Sequence, residues 1–125
     1  MNRSVLLIGL GGFIGSVGRY WVQQYFLRFV PVGFPLGTFL VNVSGCLLIG
    51  LLMGFFERHT AAPQAWRLFL TTGFCGGFTT FSTFAYESVT LARTHELLLL
   101  SAYAAGSLLL GMLAALAGLW LARLV

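Results

Sequence analysis

Charged residues are scarce in this chain of 125 residues. They make up 8% of it, lysine and aspartate are absent, and the mean hydropathy is +0.92. A soluble domain carries about 25% charged residues, and a disordered chain combines low hydrophobicity with high net charge. Both classes are therefore excluded. The composition and the length predict one integral membrane domain.

Groups suited to catalysis or metal binding are also few. The two cysteines, Cys46 and Cys75, lie within apolar stretches and form neither a disulfide framework nor a Cys-x-x-Cys motif. We interpret both as small apolar residues. The two histidines lie in loops and no nucleophile–base or carboxylate pair is visible, so no enzyme activity is expected. The seven arginines are scattered and form no basic patch, which argues against nucleic-acid binding.

Charge-free intervals divide the chain into apolar stretches. A membrane helix needs about 20 mainly apolar residues. The intervals predict four spans, over 4–27, 36–56, 67–91 and 97–122. The first lacks a small-residue cleavage site before Arg19, so we expect a retained helix rather than a signal peptide. Pro31 and Pro35 predict the turn after it. The expected fold is therefore an all-α bundle of four transmembrane helices.

Arginine is distributed unevenly between the two sides of this predicted bundle. Four spans place both termini and the loop 57–66 on one side, with four arginines there against two on the other side. The first group is Arg3, Arg58, Arg67 and Arg123, and the second is Arg28 and Arg93. So small a difference gives a weak orientation bias, which permits insertion in both orientations.

Small residues follow one another at helical spacing in the outer spans. Gly11 and Gly15 in the first span, and Ser107 and Gly111 after Gly106 in the fourth, form rows that let helix backbones approach closely. The rows do not say whether the partner helix belongs to the same chain. Four helices cannot easily enclose a hydrophilic path, because most of their surface must face lipid. We therefore expect an oligomer.

Two polar side chains stand out inside the predicted spans. A charge such as Arg19 at a helix centre costs at least about 2.5 kcal/mol on insertion scales. Arg19 therefore either extends to the membrane surface or faces a water-filled vestibule, where its sign suits an anion. Asn42 shares a helix face with Thr38 in the second span. Its amide either links neighbouring helices or lines a pore.

The segment 71–84 combines glycine, threonine and phenylalanine inside the third span. Gly76 and Gly77 each disfavour a helix by about 1 kcal/mol relative to alanine, and threonine hydroxyls compete for backbone carbonyls. We expect a break between residues 76 and 80, with a kinked but continuous helix as the alternative. Phe81 and Phe84 share a face. Their ring edges carry partial positive charge that an anion can approach, while simple packing explains the same spacing.

Three motifs resemble the Fluc family of fluoride channels, also called CrcB. They are Gly-Gly-Phe-Ile-Gly-Ser-Val-Gly-Arg (11–19), Pro-Leu-Gly-Thr-Phe-Leu-Val-Asn (35–42) and Gly-Phe-Cys-Gly-Gly-Phe-Thr-Thr-Phe-Ser-Thr-Phe (73–84). The match covers nearly the whole chain. The resemblance implies an antiparallel, dual-topology homodimer in the lipid bilayer of a bacterial inner membrane, with two fluoride pores. It also implies a central Na⁺ at the dimer interface, held by the backbone carbonyls of Gly76 and Thr79.

The same resemblance implies roles for particular side chains. Amide, ring and hydroxyl groups would line the fluoride pore, and they belong to Asn42, Phe81, Phe84, Ser82, Thr83, Tyr103 and Ser107. Thr38 is expected to join them, because it shares a helix face with Asn42. Arg19 and Glu87 would supply the charges of the vestibule. The implied function is passive export of fluoride from the cytoplasm, which reduces fluoride toxicity and needs no ATP site.

Two other functions fit a chain of this size. A small multidrug exporter is also a four-helix, dual-topology dimer, but it uses a membrane-embedded Glu in its first helix, where this chain carries Arg19. A non-conducting membrane assembly subunit is the second alternative. Anion flux from liposomes that contain only this chain would distinguish such a subunit from a channel.

Overall fold

A computed structural model describes residues 2–29 and 33–124, and over those ranges the chain contains helices and turns but no strand. Pro31 lies outside the described residues. The helices are α1 (Arg3–Phe26), α2 (Leu36–Arg58), α3 (Gln64–Arg67), a π-helical segment (Leu68–Cys75), α4 (Gly76–Phe78), α5 (Phe81–Arg93) and α6 (Leu97–Leu121).

Three helices are long and apolar enough to cross a membrane. They are α1, α2 and α6, with 24, 23 and 25 residues. At about 1.5 Å per residue, each exceeds the hydrocarbon thickness of about 30 Å. Only 11% of the residues in the apolar windows of α1 and α6 are buried inside the chain. Their remaining apolar surface faces outward, as it does in a multi-pass membrane protein.

The region from Gln64 to Arg93 is divided into shorter elements. The sequence predicted one span over 67–91, with a break between residues 76 and 80. α4 ends at Phe78, and Thr79 and Thr80 are extended, with φ/ψ of −79°/158° and −149°/119°. We call these two residues the interruption. Thr80 caps α5, since its Oγ1 accepts from the Thr83 N–H at 3.3 Å. Low helix propensity before the interruption and a capping threonine within it both favour this division.

Glycines hold α1 against the π-helical segment and α4. Gly11 and Gly15 are buried, and a Cβ atom at either position would overlap the backbone of the facing segment, at Phe69 and Phe74 respectively. The small-residue row of the first span therefore packs within the same chain. Backbones that approach this closely gain van der Waals contact, which replaces the hydrophobic effect as the packing force inside a membrane.

Glycines also bring the backbones of α2 and α6 close together. A Cβ atom at Gly50 would overlap the Ala115 carbonyl, and one at Gly118 would overlap the Leu47 carbonyl. Large side chains are consequently rare in the interior. Val41 and Tyr103, at 0% exposure, are the two largest fully buried side chains among the described residues.

Candidate functional site

The interruption is held by the Asn42 side chain from α2. The Thr80 N–H donates to Asn42 Oδ1 at 2.8 Å, and Asn42 Nδ2 donates to the Thr80 carbonyl at 3.0 Å. In an unbroken helix the same N–H would donate to the Gly76 carbonyl, four residues earlier. The amide thus replaces the helical partner of Thr80. Asn42 links two elements here, which was one of the two alternatives for this residue, and its lining of a pore stays a prediction.

Two polar side chains of α1 reach carbonyls at the same place. Arg19 Nη1 donates to the Thr79 carbonyl at 3.3 Å, and Ser16 Oγ donates to the Gly77 carbonyl at 3.4 Å. The guanidinium is half-buried and lies against the interruption, a contact that neither alternative for Arg19 included. Ser16 was not among the residues predicted from the sequence. It lies three residues before Arg19 and therefore on the same helix face, and this spacing was the signal that could have identified it.

A second polar cluster surrounds the Glu87 carboxylate. Thr38 Oγ1 donates to Glu87 Oε1 at 2.9 Å, and the Tyr103 hydroxyl donates to Oε2 at 2.6 Å. Gln23 Nε2 in turn donates to Thr38 Oγ1 at 3.1 Å. Thr38 is 2% exposed and Tyr103 0%. The cluster therefore joins α1, α2, α5 and α6 through buried groups, and it brings together three of the predicted site residues.

Gln23 was not among those predicted residues. It lies four residues after Arg19 and therefore on the same face of α1. An amide on the face that carries the span's one charge was a usable signal. Its partner on α2 could not be identified without the packing of the two helices.

Aromatic rings continue from this cluster towards the interruption. The Phe84 ring centroid lies 5.1 Å from that of Tyr103, and the Phe81 centroid lies 5.9 Å from that of Phe84. Phe34 packs edge-on against Tyr103 on another side at 5.6 Å. The two predicted phenylalanines are thus neighbours in a row of rings that ends on the tyrosine bound to Glu87.

Two cavities lie near the Phe84 and Tyr103 rings. The first, of about 560 Å³, is lined by Gln23, Thr38, Thr83 and Glu87 among others, and we call it the Glu87 cavity. The second, of about 500 Å³, is the Asn42 cavity, and its lining includes Asn42, Gly76, Thr79, Phe81, Phe84 and Ser107. Phe84 lines the second cavity and touches Tyr103, which bonds Glu87 at the first. The ring pair therefore connects residues of the two cavities.

Ser107 lines the Asn42 cavity and carries an unsatisfied hydroxyl. Over the described residues its Oγ is the one buried side-chain polar atom without a hydrogen-bond partner. Leaving such a group unpaired costs about 1–3 kcal/mol. An unpaired donor in the wall of a cavity indicates a place where a small acceptor can bind once the side chain turns towards the cavity.

The remaining predicted residues are placed less centrally. Thr83 Oγ1 accepts from Thr80 Oγ1 at 3.1 Å and lines the Glu87 cavity. Ser82 is exposed, lies 3.4 Å from Thr80 Oγ1, and belongs to neither cavity lining. Arg19 also lines neither cavity. The structure therefore gathers most, but not all, of the predicted pore residues around the two cavities.

The carbonyls of Gly76 and Thr79 are the candidate ligands for a cation near the interruption. The Gly76 carbonyl loses its helical donor, because the Thr80 N–H donates to Asn42 Oδ1 instead. This observation fits an open carbonyl ligand. The Thr79 carbonyl has a second lone pair, but the Arg19 guanidinium already bonds it at 3.3 Å. Because like charges repel, Thr79 fits this role once Arg19 turns away.

The chain is similar to known proteins over nearly its full length. A family model described as "CrcB-like protein, Camphor Resistance (CrcB)" matches residues 6–119. A relative from Chlorobium luteolum named fluoride-specific ion channel FluC is 49% identical over 120 residues, covering 96% of this chain and 92% of that protein. Proteins of the same name are similar in Nitratidesulfovibrio vulgaris, at 45% identity over 98% of this chain and 99% of the relative, and in Flavobacterium psychrophilum, at 40% over 97% and 98%.

Proposed function

Because this chain belongs to the CrcB-like family, we propose that it is a passive fluoride channel and not an enzyme. The names of its relatives support the substrate. Hydrogen fluoride crosses membranes as a neutral molecule and ionises in the cytoplasm. A membrane potential of 100 mV is worth about 2.3 kcal/mol for each charge moved. An open anion path in a bacterial inner membrane would therefore drain fluoride outward without ATP.

The unsatisfied Ser107 hydroxyl is the observation that carries this proposal. Ser107 lines the Asn42 cavity together with Phe81 and Phe84, and the edges of aromatic rings attract negative charge. A small anion that enters this cavity would supply the acceptor that Ser107 lacks. Fluoride, which accepts strong hydrogen bonds and needs little space, suits a site made of one hydroxyl and ring edges.

The fluoride path would run between the two cavities along the row of rings. Asn42 keeps one amide hydrogen beyond the bond that it gives to Thr80, so it can serve the path while it holds the interruption. Thr38, Thr83 and Tyr103 would provide hydroxyls on the Glu87 side. Ser82 would contribute only after its side chain turns inward from its exposed position.

The functional unit would be an antiparallel homodimer of four-span subunits. The segments before and after the interruption would together form the third crossing as two half-helices. Such breaks occur at membrane depth only where protein or a water-filled cavity covers them, and a second subunit would provide the cover. Phe81 is 80% exposed in the single chain, which leaves its ring available to a partner. The weak arginine bias supports insertion in both orientations.

A Na⁺ ion at the two-fold axis would complete this assembly. The Gly76 and Thr79 carbonyls of each subunit would hold it, and its positive charge would favour anions nearby. The Gly76 carbonyl, which has lost the Thr80 N–H as its helical donor, supports this role. Arg19 would have to release the Thr79 carbonyl when the ion binds.

Anion flux from liposomes that contain only this chain tests the proposed function. We expect fluoride to leave rapidly and chloride to be retained. Ser107→Ala should lower fluoride flux about ten-fold, because it removes one hydrogen bond to a charged group. Ser101→Ala is the matched control on the same helix, since Ser101 Oγ is exposed and bonds the Leu97 carbonyl at 2.8 Å.

Two outcomes would contradict the proposal. Equal release of chloride and fluoride would show that the path is not selective. An absence of any flux from a folded, reconstituted protein would favour the non-conducting subunit. The multidrug exporter gains no support from α1, whose one charged side chain within the apolar stretch is Arg19.

A further inference from the structure

The Glu87 carboxylate occupies two hydroxyl donors of the proposed path. Each hydroxyl has a single hydrogen to donate, and those of Thr38 and Tyr103 both point at this carboxylate, at 2.9 and 2.6 Å. While these bonds persist, neither side chain can donate to a passing anion. The carboxylate therefore competes with fluoride for the same donors.

Gln23 determines which way the Thr38 hydroxyl points. Its Nε2 donates to Thr38 Oγ1 at 3.1 Å, so the oxygen acts as an acceptor on that side and directs its own hydrogen towards Glu87. A chain of such bonds strengthens each member. No bond joins Gln23 to Glu87 directly among the described residues, so any effect on the carboxylate passes through Thr38.

Other threonines in this chain make a local bond that Thr38 does not make. Thr71 donates to the Arg67 carbonyl at 2.7 Å and Thr90 to the Tyr86 carbonyl at 3.0 Å, each four residues earlier. Thr38 is the third residue of α2 and makes a bond across helices instead. Removing the Gln23 amide would take away the donor that polarises the Thr38 hydroxyl, and so weaken its bond to Glu87.

We propose that Gln23 is a positioning residue that directs the Thr38 hydroxyl onto Glu87, and so withholds this donor from fluoride until the carboxylate moves aside. The inference rests on the proposed function. The Glu87 cavity, of about 560 Å³, lies beside the carboxylate and gives it room to move. Fluoride entry at this end would then be an exchange, in which the anion replaces the carboxylate on Thr38 and Tyr103.

Replacement of Gln23 by methionine tests the idea, because it keeps the length of the side chain and removes the amide. A residue with a merely structural role would lower flux when replaced. Here we expect Gln23→Met to raise the initial fluoride flux about three-fold at limiting fluoride, since the loss of one neutral hydrogen bond frees the Thr38 donor. Gln64→Met is the matched control. Gln64 begins α3, is exposed, and lines neither the Glu87 cavity nor the Asn42 cavity.

A double variant tests whether Gln23 acts through Thr38. Thr38→Val removes the hydroxyl with little change of shape. In that background Gln23→Met should have no further effect on flux. An equal change in both backgrounds would overturn the inference, as would a fall in flux in the single variant.

Infrared spectroscopy gives a readout that does not depend on transport. The chain has three glutamates and no aspartate, so its carboxylate bands are few. The difference between the wild type and Glu87→Gln identifies the bands of Glu87. Those bands should shift in Gln23→Met and stay in place in Gln64→Met. Unshifted bands in a protein that conducts fluoride would overturn the inference alone, whereas a wild type that carries no fluoride would overturn the proposed function.

Discussion

The two segments on either side of the interruption are held by different interactions. The segment before it, from Gln64 to Phe78, lies against α1 through glycine backbones. The segment after it, α5, is joined to α2 and α6 by the side chain of Glu87. The first contact depends on shape and the second on directed hydrogen bonds. Substitutions on the two sides should therefore fail in different ways, the first in folding and the second in conduction.

The largest effect is expected where backbones touch. Gly15→Ala should prevent recovery of a monodisperse protein or lower its melting temperature strongly, because the new Cβ would overlap the Phe74 carbonyl. Overpacking of this kind costs about 1–3 kcal/mol. Gly9→Ala provides the control on the same helix, since a Cβ there meets nothing within 4 Å. Thermal unfolding in detergent measures both. Similar melting temperatures for Gly15→Ala and Gly9→Ala would show that the segment before the interruption does not depend on close backbone contact with α1.

Asn42→Asp should abolish transport with a smaller effect on folding. A carboxylate still accepts from the Thr80 N–H, but it loses the donor to the Thr80 carbonyl and repels a passing anion. We expect fluoride flux to fall by about a hundred-fold or more, with the purified oligomer retained. Asn2→Asp is the control for the added charge, because Asn2 Oδ1 caps α1 and aspartate serves equally there. Normal efflux through the Asn42 variant would exclude this residue from the path.

The smallest effect is expected at the rings. Phe84→Ile keeps bulk and removes the ring edge beside Tyr103, so flux should fall about three- to ten-fold. Phe81→Ile should behave similarly in the dimer. Phe13→Ile, at a ring that is 69% exposed on α1, controls for the loss of an aromatic side chain. Unchanged flux in both test variants, measured as fluoride release from liposomes, would mean that the rings only pack.

Much of the helical layout could be predicted from the positions of charges. The predicted spans 36–56 and 97–122 correspond to α2 (Leu36–Arg58) and α6 (Leu97–Leu121). The π-helical turns of Leu68–Cys75 could not be predicted. They lie against the glycines of α1, and a tertiary contact of that kind leaves no periodic pattern in an apolar run.

The candidate site was predictable as a set of residues and not as a set of bonds. Glu87 and Tyr103 were named from the resemblance and Thr38 from its spacing to Asn42, yet nothing in the sequence placed both hydroxyls on one carboxylate. Nor did the sequence pair the Asn42 amide with the backbone of Thr80. Helices that are apolar on nearly every side show no buried stripe, so the sequence does not reveal which polar groups face one another. Gln23 and Ser16 share a face of α1 with Arg19, but their partners could not be identified for that reason.

The bond between Asn42 and Thr80 also bears on the order of assembly. Asn42 precedes Thr80 by 38 residues, so a chain synthesised from its N-terminus presents the amide before the interruption emerges. The exposed N–H and carbonyl of Thr80 would be costly in hydrocarbon, and their partner is then already in place on α2. Glu87 is in the opposite situation, because Tyr103 follows it by 16 residues. The interruption can thus be satisfied as it enters the membrane, whereas the carboxylate acquires its full set of donors only when the last helix has been added.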